Sequence, residues 1–158
     1  MTLRVREMDD TGPDKLDRSI LHSLQQNARK SYRDIARELG VSLNTVSSRI
    51  RKMEEQGTIR GYSALVDPSK AGYDMTAIIG IQISKGKLME VQKKISADRH
   101  ISAVYDVTGE WDSIIIARFT SRYDLNSFIK RILTTEYIER TLTQVVLNTV
   151  KETYELPV

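Results

Sequence analysis

Residues 42–52 set short hydrogen-bonding side chains ahead of long cations: Ser42, Asn44, Thr45, Ser47 and Ser48, then Arg49, Arg51 and Lys52. Asn, Ser and Thr can exchange hydrogen bonds with base edges, while Arg and Lys neutralise phosphates or fork onto guanine. At about 100° per residue, with Val46, Ile50 and Met53 turned inward, the opposite stripe carries Asn44, Thr45, Ser48, Arg51 and Lys52. Ser47 and Arg49 flank it. The plain alternative is a solvated helix face whose cations pair with Glu54 and Glu55.

The surrounding elements decide between these. Residues 31–39 read as a short helix, with Tyr32, Ile35, Ala36 and Leu39 at helical spacing. Gly40 stands where a helix C-terminus favours a residue tolerant of positive φ, and Ser42 where an N-cap belongs. Two short amphipathic helices joined by so tight a turn form the helix-turn-helix pattern, whose second helix enters a DNA major groove. Pro13 and Asp14 open an earlier helix to about Gln26, with Leu16, Ile20 and Leu24 inward, supplying a third apolar face. After Gly57, residues 58–66 read as an extended wing and connecting strand that carries Arg60 and ends at Asp67-Pro68.

Charge follows the same division. The net charge of +3 argues little by itself, but its distribution is uneven. Residues 1–28 hold four basic and five acidic side chains, residues 29–60 eight and four, and the remainder twelve and twelve. The surplus lies on the segment that would need attraction to phosphate. Double-stranded DNA is therefore the expected partner. The absence of cysteine excludes disulfides and thiolate metal sites. No run approaches the roughly 18 apolar residues of a membrane span. The opening residues lack the apolar stretch of a signal peptide. A cytoplasmic protein with a flexible tail over residues 1–13 is expected.

From Met75 the period changes. Ala77, Ile79, Ile81 and Ile83 alternate, which predicts a strand over 75–84 with one buried face. Leu88, Val91 and Ile95 predict a helix. Residues 101–108 and 113–120 predict two strands around the polar loop Gly109-Glu110-Trp111-Asp112. A helix with Leu125, Phe128, Ile129, Ile132 and Leu133 follows, then a long strand over about 140–152. The order βαββαβ is the ferredoxin-like arrangement, so the chain reads as α+β: a winged helix-turn-helix domain followed by a sheet covered by helices on one face. The expected divisions are a DNA-binding domain at 14–60, a connecting strand and linker at 61–70, and a second domain at 71–158. Ile78, Val145 and Leu147 are apolar residues left over for the other sheet face, and a homodimer is the economical way to cover it.

These pieces together resemble the Lrp/AsnC family, the "feast/famine" regulators. The resemblance rests on LDRSIL (16–21), the run IARELGVSLNTVSSRIRKMEEQGTIRGYSALVDP (35–68) and VTGEWDSIII (107–116), within which VTGEWD is similar to the family's V-x-G-[DE]-x-D signature. The resemblance implies a RAM/ACT-like second domain and homodimers that assemble into tetramers or octamers. It also implies an amino-acid effector bound where dimers meet. Carried onto this sequence, it marks Thr108, Gly109, Glu110 and Asp112 as the effector loop. A glycine there permits close backbone approach, and Asp112 can accept an α-ammonium. Thr141 or Thr143, near the start of the last strand, can donate to the effector's carboxylate. The competing reading is a solvated hairpin turn.

An enzyme is not expected. His22 falls on an outward helix face and His100 in a helix-to-strand loop, both read as solvated. No nucleophile elbow, phosphate loop, dinucleotide fingerprint or metal-ligand spacing is present, so neither cofactor nor metal is expected. Two rival readings remain. One is a non-DNA amino-acid-binding regulatory subunit that acts through protein docking. The other is RNA binding through the sheet, against which stands the lack of an aromatic stacking signature in QISK and SIIIARF.

Overall fold

The computed structural model describes residues 12–158; the expected tail at 1–13 lies almost wholly outside them. The chain forms two compact units. One runs to Ala64 and includes Thr153–Val158; the other is Leu65–Glu152.

The first unit is built from three helices, α1 (Lys15–Gln26), α2 (Tyr32–Leu39) and α3 (Leu43–Glu55). Each begins on a side-chain cap. Asp14 accepts from the Asp17 N–H (2.9 Å) while the Asp17 carboxylate accepts from the Asp14 N–H (3.2 Å), a reciprocal capping box. Ser31 accepts from Asp34 N–H, and Ser42 accepts from Thr45 N–H at 3.0 Å. Gly40 ends α2 with φ +66°, a left-handed conformation that glycine enters without a Cβ penalty. Ile20, Leu24, Ile35, Ala36, Val46, Ile50 and Met53 bury together. Tyr32, although at the apolar spacing of α2, lies at the rim and is exposed. Gln25 also brackets the backbone of Leu156, donating to its carbonyl and accepting from its N–H. Residues 58–59 form a bend and residues 60–66 have no regular secondary structure, so the expected wing and connecting strand pair with no strand among the described residues.

The second unit contains β1 (Met75–Ile83), α4 (Leu88–Ser96), β2 (Ile101–Asp106), β3 (Ser113–Phe119), α5 (Arg122–Leu133) and β4 (Ile138–Val145). Its sheet order is β2-β3-β1-β4, and every pairing is antiparallel. Strand alternation sends Ala77, Ile79, Ile81, Ile115, Ala117 and Phe119 to the helix side, where they meet Val91, Ile95, Leu125, Phe128 and Ile132.

Three expectations change here. The last strand ends at Val145, which pairs with Ala77, two residues inside β1; one further bond, Val146 N–H to the Thr76 carbonyl, closes the ladder. Val145 lies opposite the core residue Ala77, and Leu147 lies beyond the strand. The open face instead presents Ile78, Ile114, Ile116 and Leu142, with Tyr105 on β2 beside Ile114. Finally, His100 is not solvated but 6% exposed. Its Nδ1 lies 2.6 Å from Asp98 and its Nε2 3.1 Å from Asp124, and the ring stacks on Phe119. His22 is exposed, beside Gln26.

Candidate DNA interface and ligand loop

On α3 the apolar residues Val46, Ile50 and Met53 are buried, and Asn44, Ser47, Ser48, Arg51 and Lys52 are exposed on the remaining surface. Ser42 is exposed too, but its hydroxyl caps the helix and meets the Thr45 hydroxyl at 2.8 Å. That leaves Thr45 half-buried at the first turn. Ser48 donates to the Thr45 carbonyl at 3.0 Å, so its oxygen keeps lone pairs for an outside donor. Arg51 pairs with Glu55 one turn on, at 2.9 Å, a surface contact of low energy. Lys52 and Arg60 make no ion pair among the described residues.

Arg49 differs from its neighbours. Its guanidinium is half-buried against the start of α1, bonded to Asp14 and, at 3.3 Å, to Asp17. The hydrogen bonds and charge of Asp14, followed by the charge of Asp17, raise the pKa of Arg49 further. The same contact helps lower that of Asp14, behind the larger effect of the Asp17 N–H. Sequence alone places Arg49 on the flank of the stripe. Here it braces α3 against α1, and the cue was the DKLD run at the first helix cap.

In the second unit the loop between β2 and β3 carries Thr108, Gly109, Glu110 and Asp112, with Gly109 at φ +119°. Thr108, Gly109 and Glu110 are exposed. Asp112 is partly committed: its Oδ2 accepts from the Ile83 N–H at 2.7 Å, beside the register shift between Gln82 and Ile83, and its N–H donates to the Ile81 carbonyl. This carboxylate therefore closes the end of the β1 ladder. Thr141 and Thr143 do not join the loop. They lie opposite Ile81 and Ile79, on the helix side of the sheet, because alternate residues of a strand take opposite faces.

The open face supplies other partners that composition did not single out. Trp111 lies across Gly80, whose missing side chain leaves room for the indole. Arg140 stands 5.2 Å from the Trp111 ring centre and 3.4 Å from the Glu110 carboxylate. Gln82 donates to the Glu110 carbonyl at 2.9 Å. Two exposed or half-exposed aromatic residues, Tyr105 and Trp111, thus lie on a face for which the strand sequences alone suggested none. Among the described residues, no group of acidic or histidine side chains is arranged to hold a metal ion, and no helix is long and apolar enough to cross a membrane.

Comparison with known proteins bears on both units of the chain. Residues 13–60 match the winged helix-turn-helix DNA-binding family model, and residues 76–156 match the Lrp/AsnC ligand binding domain. The chain belongs to the Lrp/AsnC family. It is 46% identical over 143 residues to an uncharacterised HTH-type transcriptional regulator of Pyrococcus furiosus, covering 90% of this chain and 97% of the relative. Among solved structures it is similar to Escherichia coli AsnC, with TM-score 0.82, 32% identity and coverage of 89% and 95% of the two chains. It is also similar to the transcriptional regulator NMB0573 of Neisseria meningitidis in complex with L-methionine, with TM-score 0.83, 26% identity and coverage of 91% and 96%. This Lrp/AsnC chain is a DNA-binding transcriptional regulator with a ferredoxin-like second domain. The family assignment displaces both the protein-docking and the RNA-binding readings.

Proposed function

We propose that α3 reads operator DNA through Asn44, Ser47, Ser48 and Lys52, with Arg51 released from Glu55 to join them. Thr45, Ser42 and Arg60 contact the flanking backbone. Arg49 has no direct part in this reading; it holds α3 in place. The observation that carries the proposal is the two-sided character of α3: every large apolar side chain of its central turns is buried, and the opposite surface is short polar groups followed by cations. Such a surface separates base reading from phosphate attraction along one helix.

The second domain then senses a small amino acid at the Thr108–Gly109–Glu110 loop. The L-methionine complex of the Neisseria regulator supports that chemistry for a similar fold. Ile78, Ile114, Ile116 and Leu142 give the open sheet face an apolar surface suited to a second copy of the chain. Dimers so formed present two recognition helices to a palindromic operator with half-sites about one helical turn, or a multiple, apart. Effector binding alters assembly into tetramers or octamers, and so the spacing of the recognition helices, by differential affinity for the two arrangements.

Binding to operator and random duplexes across a range of salt tests the DNA assignment. Asn44→Ala and Ser48→Ala should each reduce discrimination by roughly 1–3 kcal/mol. Lys52→Ala should weaken binding to all duplexes alike and flatten the salt dependence by about one charge. Normal discrimination by both the Asn44 and Ser48 variants would show that another surface reads the bases.

A further inference from the structure

Residues 153–158 belong to the first unit, although the residues before them, Leu65–Glu152, form the second. The chain therefore joins the two units twice, once after Ala64 and once after Glu152. The second connection is fastened at each end. Arg118 of β3, with a side chain only 19% exposed, donates to both carboxylate oxygens of Glu152 at 2.7 Å. A charge-assisted contact to so sheltered a guanidinium is stronger than an open surface pair. Only Thr153, Tyr154 and Glu155 lie between Glu152 and the other fastening, Leu156. There the Gln25 side chain brackets one residue, donating to the Leu156 carbonyl at 3.0 Å and accepting from its N–H at 2.6 Å. Tyr154 and Leu156 remain exposed, so apolar burial does not hold this segment. The Gln25 carboxamide supplies what a neighbouring strand would, one donor and one acceptor on the same group.

Gln25 lies in the last turn of α1, and the start of the same helix is joined to the recognition helix, where Asp14 and Asp17 hold Arg49 of α3. Within the first unit, contacts thus run from Leu156 through α1 to α3. We infer that residues 153–158 are a strap that restrains the recognition helix, with Gln25 as its positioning residue, and that operator binding draws on this restraint. Without the strap, the DNA-binding unit is tied to the second unit only through the segment after Ala64, and residues 60–66 there have no regular structure. Loosely tied units lose more freedom when two of them seat together on paired half-sites. A unit on a single half-site has no such added cost. This inference rests on the paired half-sites proposed above and names what holds each recognition helix ready for them.

The test compares two duplexes. One is an operator selected by the full chain from random-sequence DNA; the other is the same duplex with one half-site scrambled. The unmodified protein should bind the intact operator at least about a hundredfold more tightly. Gln25→Leu removes both the donor and the acceptor but keeps a strong helix former. It should cut that preference by about tenfold and leave binding to the single half-site unchanged. Gln25→Glu, which sets a carboxylate oxygen against the Leu156 carbonyl, should do the same. Deletion of residues 153–158, which leaves α1 untouched, should match both, and adding Gln25→Leu to it should lower the preference no further. Sedimentation should show one assembly state for all of these proteins. Three results overturn the strap: the full preference kept by Gln25→Leu and by the deletion, an equal loss on both duplexes, or a loss that follows from dissociation. If the unmodified protein binds the two duplexes alike, the paired half-site reading itself falls, and this inference with it.

Discussion

Gly80 offers the most direct test of how the loop at 107–112 is held. A Cβ built on this residue would lie 2.7 Å from Cδ2 and 2.9 Å from Cγ of Trp111, with Cε2 at 3.1 Å. Carbon atoms in ordinary contact stand about 3.5–4.0 Å apart, so the indole must retreat by roughly 1 Å. Such overpacking costs about 1–3 kcal/mol. An opposing contribution comes from the unfolded chain, where Gly→Ala at a compatible position stabilises by about 0.4–1 kcal/mol. Gly80 has no positive φ, so the backbone itself accepts alanine. Gly80→Ala should therefore destabilise by about 1–2 kcal/mol in the presence of Trp111. In a Trp111→Ala background, with the obstruction gone, the same change should instead stabilise by about 0.5–1 kcal/mol. The sign reversal, a coupling of about 2 kcal/mol, is the diagnostic quantity. Urea unfolding of the four proteins at one fixed concentration measures it, since the proposed assembly would make apparent stability depend on concentration. The single variant should also show red-shifted tryptophan emission as the ring lifts into water. An equal effect of Gly80→Ala in both backgrounds would refute the idea that the glycine is a seat for the indole.

Arg49→Met should lower the thermal stability of the chain while leaving the salt dependence of DNA binding nearly unchanged, because its charge is spent on Asp14 and Asp17; a flattened salt slope like that of Lys52→Ala would contradict this. Acid should weaken the second unit through Asp98 and Asp124. Burial pushes both carboxyls upward, but hydrogen bonds to His100 and Arg131, and to Thr120 with the charge of His100, outweigh it and hold them below the ordinary value of 3.8. The stability they lend is thus present above about pH 4 and lost as the pH falls through their lowered values. Unfolding followed from pH 6 to pH 2 should show that loss, and His100→Gln should make the decline shallower; an unchanged decline would remove the histidine from this account.

Patterns of period were readable wherever one face of an element is buried against its own chain. Val46, Ile50 and Met53 repeat at helical spacing, Ile79, Ile81 and Ile83 at strand spacing, and both sets are buried. Caps were readable for a similar reason: Ser42 and Gly40 act on groups within a few residues of themselves. His100 was misjudged because its environment comes from three separate segments. Asp98 precedes it, Asp124 belongs to α5, and Phe119 ends β3. No local period shows that a histidine in a connecting loop will be enclosed between two carboxylates.

The loop at 107–112 marks the same boundary from the other side. The signature at 107–112 singles out the segment proposed for the effector, and glycine at 109 has a positive φ where the backbone turns sharply. Choosing the chemistry within that segment required the register of strands far apart in sequence. One residue of slip on β4 separates Arg140, beside Gln82 on the open face, from Thr141, opposite Ile81 on the helix side. Hydroxyl groups that looked suited to a carboxylate are carried away from the loop, and a guanidinium with no obvious partner is brought to it. Asp112 shows the corresponding limit for residue type. A carboxylate in a sensing loop invites a ligand role, but a strand end whose N–H lacks a ladder partner also needs an acceptor. The Ile83 N–H takes Asp112 for that purpose, which leaves Glu110 as the carboxylate free to turn toward Arg140.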